Sequence, residues 1–104
     1  METLLYAFSH GSRALPPRPQ LVGVVGSGNL EVLIEAAPLD GGCSITVNTA
    51  AVGFGAIWAA VMRDFQQRWQ LADVRIAIND MGATPAVVSL RLDQAVETAL
   101  AGAP

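Results

Sequence analysis

The sequence predicts an α+β fold: a two-layer sandwich with a four- to five-stranded, mainly antiparallel sheet and two helices packed on one of its faces. Three observations lead there. Up to about Asn48, apolar residues alternate with polar ones in short segments, which is the period of a half-buried strand. From Phe54 the apolar spacing lengthens to that of a helix, and from Ala86 it does so again. Between the two helical stretches, Asp73 to Asn79 returns to alternation, with Val74, Ile76 and Ile78 on one face.

Thr3 to Phe8 opens the chain as a strand, with Leu4, Tyr6 and Phe8 on one side. Ser9 to Gln20 is a loop, because Gly11, Ser12, Pro16, Pro17 and Pro19 interrupt any regular element. Leu21 to Val25 is the second strand and Leu30 to Ala37 the third. The third places Leu30, Val32 and Ile34 on one face and Glu31, Leu33 and Glu35 on the other. A turn at Pro38 to Gly42 leads to a fourth strand, Cys43 to Asn48, expected to run antiparallel beside the third and complete a meander. The first helix carries Phe54, Ile57, Trp58, Val61, Met62, Phe65 and Trp69 as an apolar stripe over the sheet. Arg63, Asp64, Gln66, Gln67 and Arg68 lie on its polar side. That helix is the crossover to the fifth strand. Thr84 and Pro85 then read as N-cap and first helical residue of the second helix, which runs from Ala86 to about Leu100. It buries Val88, Leu92, Val96 and Leu100, and Gly102 and Pro104 end it. The β-branched pair Val87-Val88 offers a rival strand, but the Leu-Asp-Gln-Ala-Val-Glu-Thr-Ala-Leu that follows favours helix.

Bulk composition narrows the function classes. The 104 residues suffice for a single domain, 1–104, with one modest core, and 52% hydrophobic against 14% charged residues is the balance of a compact globule. A net charge of −3, with six arginines and no lysine, argues against a nucleic-acid binder. No apolar run reaches bilayer length and no basic-then-apolar leader opens the chain, so a cytoplasmic location away from membranes is expected. Cys43 has no disulfide partner and no metal-ligand spacing with His10, so no metal site is expected. Cys43 reads as a small apolar strand residue and His10 as a solvated one. Glu31 and Glu35 share the outer face of their strand, where paired carboxylates serve mainly to keep a surface wet.

The stretch Val24-Val25-Gly26-Ser27-Gly28-Asn29-Leu30-Glu31-Val32 stands apart. Its spacing is that of a tight turn between two strands, with Ser27 at the tip and small neighbours that leave the hydroxyl clear. A nucleophile elbow does not fit: Val25 stands where the first glycine belongs, and a strand follows rather than a helix. A phosphate-cradling loop does not fit either, since it needs a lysine. By spacing alone the stretch reads first as a plain hairpin turn, whose open serine is available for modification but is not a catalytic nucleophile.

Val25-Gly26-Ser27-Gly28-Asn29-Leu30-Glu31-Val32-Leu33 resembles the signature of the acyl carrier subunit of malonate decarboxylase. The likeness continues through Asn79-Asp80-Met81-Gly82-Ala83-Thr84-Pro85-Ala86-Val87-Val88 and Leu90-Arg91-Leu92, and in order of elements it spans nearly the whole chain. One departure is Asn29, where the family usually has Asp. The ordinary helical acyl carrier, with its Asp-Ser-Leu at a helix start, is not matched. The resemblance implies a non-catalytic carrier, with Ser27 joined by a phosphodiester to 2'-(5''-phosphoribosyl)-3'-dephospho-CoA. The thiol of that arm takes acetyl and malonyl groups between an acyltransferase and a decarboxylase subunit in malonate catabolism. It further implies that Gly26 and Gly28 give clearance, that Asn29, Leu30 and Glu31 help a prosthetic-group transferase recognise the hairpin, and that the chain works inside a heteromeric complex. Two alternatives stay open: a carrier for a related enzyme such as citrate lyase, and a non-enzymatic interaction module using an uncovered sheet face.

Overall fold

The computed structural model describes residues 1–101. Its elements follow in the order β1 (Glu2–Phe8), β2 (Gln20–Gly23), β3 (Leu30–Ala36), β4 (Cys43–Thr49), α1 (Gly55–Trp69), β5 (Val74–Asp80) and α2 (Pro85–Ala101). The expected end of the second helix at Gly102 and Pro104 lies outside the described residues.

All five strands form one sheet, ordered β1-β4-β5-β3-β2. Three pairings are antiparallel and the β4–β5 pairing is parallel, as a helical crossover through α1 requires. The α+β two-layer arrangement is as the sequence predicts, but the meander is not. β4 does not lie against β3; β5 lies between them, paired with Ile76 opposite Ile34 on one side and Ile45 on the other. Residues 37–42 arch over the start of β5. The Ala37 N–H donates to the Asp73 carbonyl, the Val74 N–H donates to the Gly42 carbonyl, and Asp73 Oδ1 accepts the N–H groups of Leu39 (3.0 Å) and Gly41 (2.9 Å). The physical reason is burial. The central position gives Val74, Ile76 and Ile78, all 0% exposed, apolar neighbours on both sides, and alternation within a strand carries no information about which strand lies beside it.

Leu30, Val32 and Ile34 of β3 and Cys43, Ile45 and Val47 of β4 join those three residues as the floor under the helices. Met62 and Phe65 of α1 and Val88, Leu92, Ala95, Val96 and Ala99 of α2 fill the space above. Thr84 Oγ1 accepts the Val87 N–H, so the expected N-cap is in place. Two readings of α1 need correction. Phe54 and Ile57, expected over the sheet, are 49% and 47% exposed and border an open apolar pocket of about 210 Å³ shared with Trp58, Pro85 and Val88. Gln66, expected on the polar side, is buried. Its Nε2 donates to the Leu71 carbonyl and its Oε1 accepts the Leu71 N–H, which satisfies both ends of the amide as the chain leaves the helix through a left-handed Gln70. His10 is exposed, as expected. No helix among the described residues is long and apolar enough to cross a membrane.

Among the described residues, the other sheet face carries no helix. Across its middle, Leu5, Thr46, Ala77, Leu33 and Leu21 stand side by side in register on five successive strands. A polar rung runs beside them: Thr3 donates to Asn48 (2.9 Å), Asn48 to Asn79 (3.5 Å) and Asn79 to Glu31 (2.8 Å). Glu35 pairs with Arg75 at 3.1 Å farther along, so both carboxylates of β3 are held by neighbours on this face.

Candidate functional site

The β2–β3 hairpin projects from the end of the sheet where β4 and β5 also finish. β2 stops earlier than the alternation suggests, because Gly23 takes a φ of +85° and turns the chain out of the ladder. A Cβ at this position would run into the Leu30 carbonyl oxygen, so the crossing of the two hairpin arms requires glycine. Val24 and Val25, expected in the strand, are instead exposed on the loop, at 61% and 52%.

At the apex, the Asn29 N–H donates to the Gly26 carbonyl at 2.9 Å and closes a four-residue turn with Ser27 and Gly28 in its centre. Gly28 has a φ of +71°, the left-handed third position that a type II turn demands. Ser27 is exposed. Added Cβ atoms at Gly26 and Gly28 would meet nothing within 4 Å, so the hydroxyl stands in open space on both sides. The two glycines differ in kind: Gly28 is needed for its backbone, whereas Gly26 is not in the left-handed region, and only an approaching molecule would feel its missing side chain.

The turn is fastened from behind. The Gly28 N–H donates to the Met81 carbonyl (2.8 Å) and the Met81 N–H to the Asn29 carbonyl (2.9 Å), so the β5–α2 connection holds the serine turn by two backbone bonds. That connection is held in its turn by Asp80, which is buried. Its carboxylate accepts the Thr49 hydroxyl (2.9 Å) and the N–H groups of Gly82 (3.1 Å) and Ala83 (3.0 Å). The exposed hydroxyl therefore stands on a rigid mount, not on a floppy loop.

A model of the malonate decarboxylase delta subunit (MdcD) family, headed ACP, matches residues 18–99. The chain belongs to that family. It is 62% identical over 105 residues to the malonate decarboxylase acyl carrier protein of Stenotrophomonas maltophilia strain K279a, covering 100% of this chain and 99% of that protein. It is 61% identical over 95 residues to the protein of the same name from Burkholderia cepacia, covering 91% of this chain and 87% of that protein. Among solved structures, a chain of a Pseudomonas malonate decarboxylase hetero-tetramer in complex with malonate superposes with a TM-score of 0.84. The two are 40% identical, and the match covers 94% of this chain and 98% of that one.

Both halves of the family resemblance, residues 25–33 and 79–92, meet at the serine turn. Sequence spacing leaves them unconnected, about fifty positions apart; the structure joins them through Met81 and through Arg91, whose Nε donates to Asn29 Oδ1 at 3.3 Å. The three residues expected to aid recognition occupy different environments. Leu30 is fully buried, backbone included, and offers nothing to an approaching protein; it is the loop's core anchor. Asn29 is half-buried, with Oδ1 turned inward to the Leu30 N–H (2.8 Å) and to Arg91. Glu31 alone looks outward, on the open face, beside Asn79. Nothing in the sequence pattern marks Asp80 or Met81 as site residues, because their part is played by backbone and buried contacts that leave no periodic trace.

Proposed function

We propose that this chain is the acyl carrier subunit of a malonate decarboxylase. In this reading residues 1–104 are one carrier domain, and Ser27 Oγ carries 2'-(5''-phosphoribosyl)-3'-dephospho-CoA through a phosphodiester. The observation that supports it most is the exposed Ser27 hydroxyl at the apex of a turn with open space on both flanks, in a chain of this family. The site fits such a group, since a bulky ester at Ser27 meets no residue placed over the flanking glycines. When bound, the group supplies a thiol for acetyl and malonyl groups. No side chain of this protein offers one, for Cys43 is 1% exposed and burial pushes its thiol up to about 12.

The protein's own contribution is position. Met81 and Gly28 fix the point from which the tether starts, and a fixed origin concentrates a tethered group at the sites it can reach. The chain itself is a non-catalytic subunit. An acyltransferase subunit, a decarboxylase subunit and a prosthetic-group transferase are its partners in this reading, in the cytoplasm. The open sheet face, with its central apolar row of Leu5, Leu33 and Leu21, gives such subunits a surface to hold.

The test is intact-mass measurement before and after incubation with the prosthetic-group transferase and its activated donor. Wild-type protein gains the mass of the group, and Ser27→Ala protein, equally folded by circular dichroism, gains none. Equal uptake by Ser27→Ala would move the attachment elsewhere.

A further inference from the structure

Arg91 lies in the second turn of α2, half-buried against the hairpin. Its Nε donates to Asn29 Oδ1 at 3.3 Å and its Nη1 to Gln94 Oε1 at 2.9 Å. Both acceptors are neutral amides. The ion pairs among the described residues join Arg68 to Asp64 and Asp93, and Arg75 to Glu35; none of them takes up Arg91. A guanidinium has five N–H donors, and these two bonds leave most of the fork without a partner. A half-buried guanidinium held only by neutral groups keeps its charge and its remaining N–H donors available to an anion.

Its position selects the anion. Asn29, which holds Arg91, is the closing residue of the turn that lifts Ser27, so the guanidinium of α2 is fastened to the same four-residue turn that carries the hydroxyl. The remaining arginines are elsewhere or engaged. Arg13 stacks on Trp69 and donates to its carbonyl, Arg63 lies beside Ser9 and Gln70, Arg18 precedes β2 at the opposite end of the sheet, and Arg68 and Arg75 have carboxylates. Near the turn, the acidic groups are Glu31, held by Asn79, and Asp80, enclosed by Thr49, Gly82 and Ala83.

Resting on the carrier reading of Ser27, the geometry points to Arg91 as a phosphate-binding residue, whose guanidinium clamps the phosphate ester formed on the Ser27 hydroxyl. The clamp neutralises a charge added to an already acidic protein and draws the start of the tether toward α2. Asn29 is part of the device: being neutral, it orients the guanidinium without consuming its charge. A carboxylate in its place would compete with the phosphate for Arg91.

The probe is full-length protein carrying phosphoserine at position 27, titrated by ³¹P NMR. A phosphoserine has a second pKa of about 6. An opposite charge in contact with such a group lowers that midpoint by roughly one unit. The wild-type midpoint lies below that of Arg91→Gln by this amount, Arg91→Lys keeps most of the lowering, and Asn29→Asp raises the midpoint toward that of Arg91→Gln. Glu31 and Asp80 are present in every variant, so their effect cancels in the comparison. Equal midpoints for wild type and Arg91→Gln overturn the clamp; should Arg91→Gln fail to fold, an Asn29→Asp midpoint unchanged from wild type overturns it equally. These outcomes do not involve the transferase. A chain that takes up no mass from the transferase sinks the carrier reading, and a chain that takes it up with unshifted midpoints sinks the clamp alone.

Discussion

Removing the Asp80 carboxylate should both destabilise the protein and loosen the serine turn, and the two effects can be measured separately. Asp80 is 3% exposed and satisfies three donors: the Thr49 hydroxyl and the Gly82 N–H through Oδ2, and the Ala83 N–H through Oδ1. Hydrogen bonds to a charged acceptor contribute about 1.5–3 kcal/mol each, and a buried donor left without a partner costs about 1–3 kcal/mol. Thr49 has a fallback in the Ala51 carbonyl at 3.4 Å, and the N–H groups of the exposed Gly82 and the half-buried Ala83 can turn to water. Asp80→Ala should therefore lose about 2–3 kcal/mol, mainly the charge-assisted bonds themselves, still a large share of the stability of a domain this size. Asp80→Asn keeps one oxygen, so at least one of the three donors is left facing an NH₂ group, for a loss of about 1–3 kcal/mol. Urea unfolding at pH 7, with unchanged denaturant slope, measures both. Hydrogen exchange at Gly28 reads the second effect: its N–H donates to Met81, directly beside Asp80, and should lose protection in Asp80→Asn beyond the loss in global stability. An Asp80→Ala protein within about 0.5 kcal/mol of wild type, or an unaltered Gly28 exchange rate, would refute the chain of support from core to turn.

Three other outcomes follow from the same geometry. With its thiol pushed up to about 12 and 1% exposed, Cys43 should be silent to Ellman's reagent at pH 8 in native unmodified protein and react fully in denaturant. After attachment of the arm one fast thiol should appear without denaturant, and fast reaction of unmodified native protein would contradict the burial. Gly28→Ala forces a φ of +71° on an L-residue and should cost about 1–2 kcal/mol, while Gly26→Ala should leave stability within about 0.5 kcal/mol, as read by thermal melts. Loss of prosthetic-group uptake by stable Gly26→Ala would then assign clearance to that position. Asp73, held below the ordinary carboxylate range by the N–H groups of Gly41 and then Leu39, contributes stability that is present above 3.8 and is lost as pH falls through its lower folded value. Asp73→Asn keeps an acceptor oxygen and removes the titration, so the stability difference between wild type and this variant should shrink below pH 4 in acid-dependent urea titrations; a constant difference would show that the carboxylate is not selectively held.

Much of the fold is legible in residues taken singly. Val74, Ile76 and Ile78, or Cys43, Ile45 and Val47, declare strand and buried face together, because burial repeats every second residue and the sequence records that period directly. The spacing of Val88, Leu92 and Val96 declares the second helix in the same way. Such reasoning fails where a residue's environment is set by distant chain. Phe54 and Ile57 have core chemistry and helical spacing, yet the helix begins beyond the sheet's cover and leaves them beside a pocket. Gln66 has surface chemistry, yet the Leu71 backbone gives it both partners it needs in the interior.

The sequence by itself determined the class of fold, the tight turn and the serine at its apex, since these depend on local dihedral freedom and on periods of two and 3.6 residues. Only the tertiary structure decided that β5 lies between β3 and β4, and hence that the β5–α2 connection comes to rest behind the β2–β3 turn. Strand order is a choice among neighbours of equal apolar pattern, made by the burial available to the whole sheet. That choice brings Met81, Asp80 and Arg91 to Ser27 across some fifty positions of chain, a distance over which no local pattern carries information.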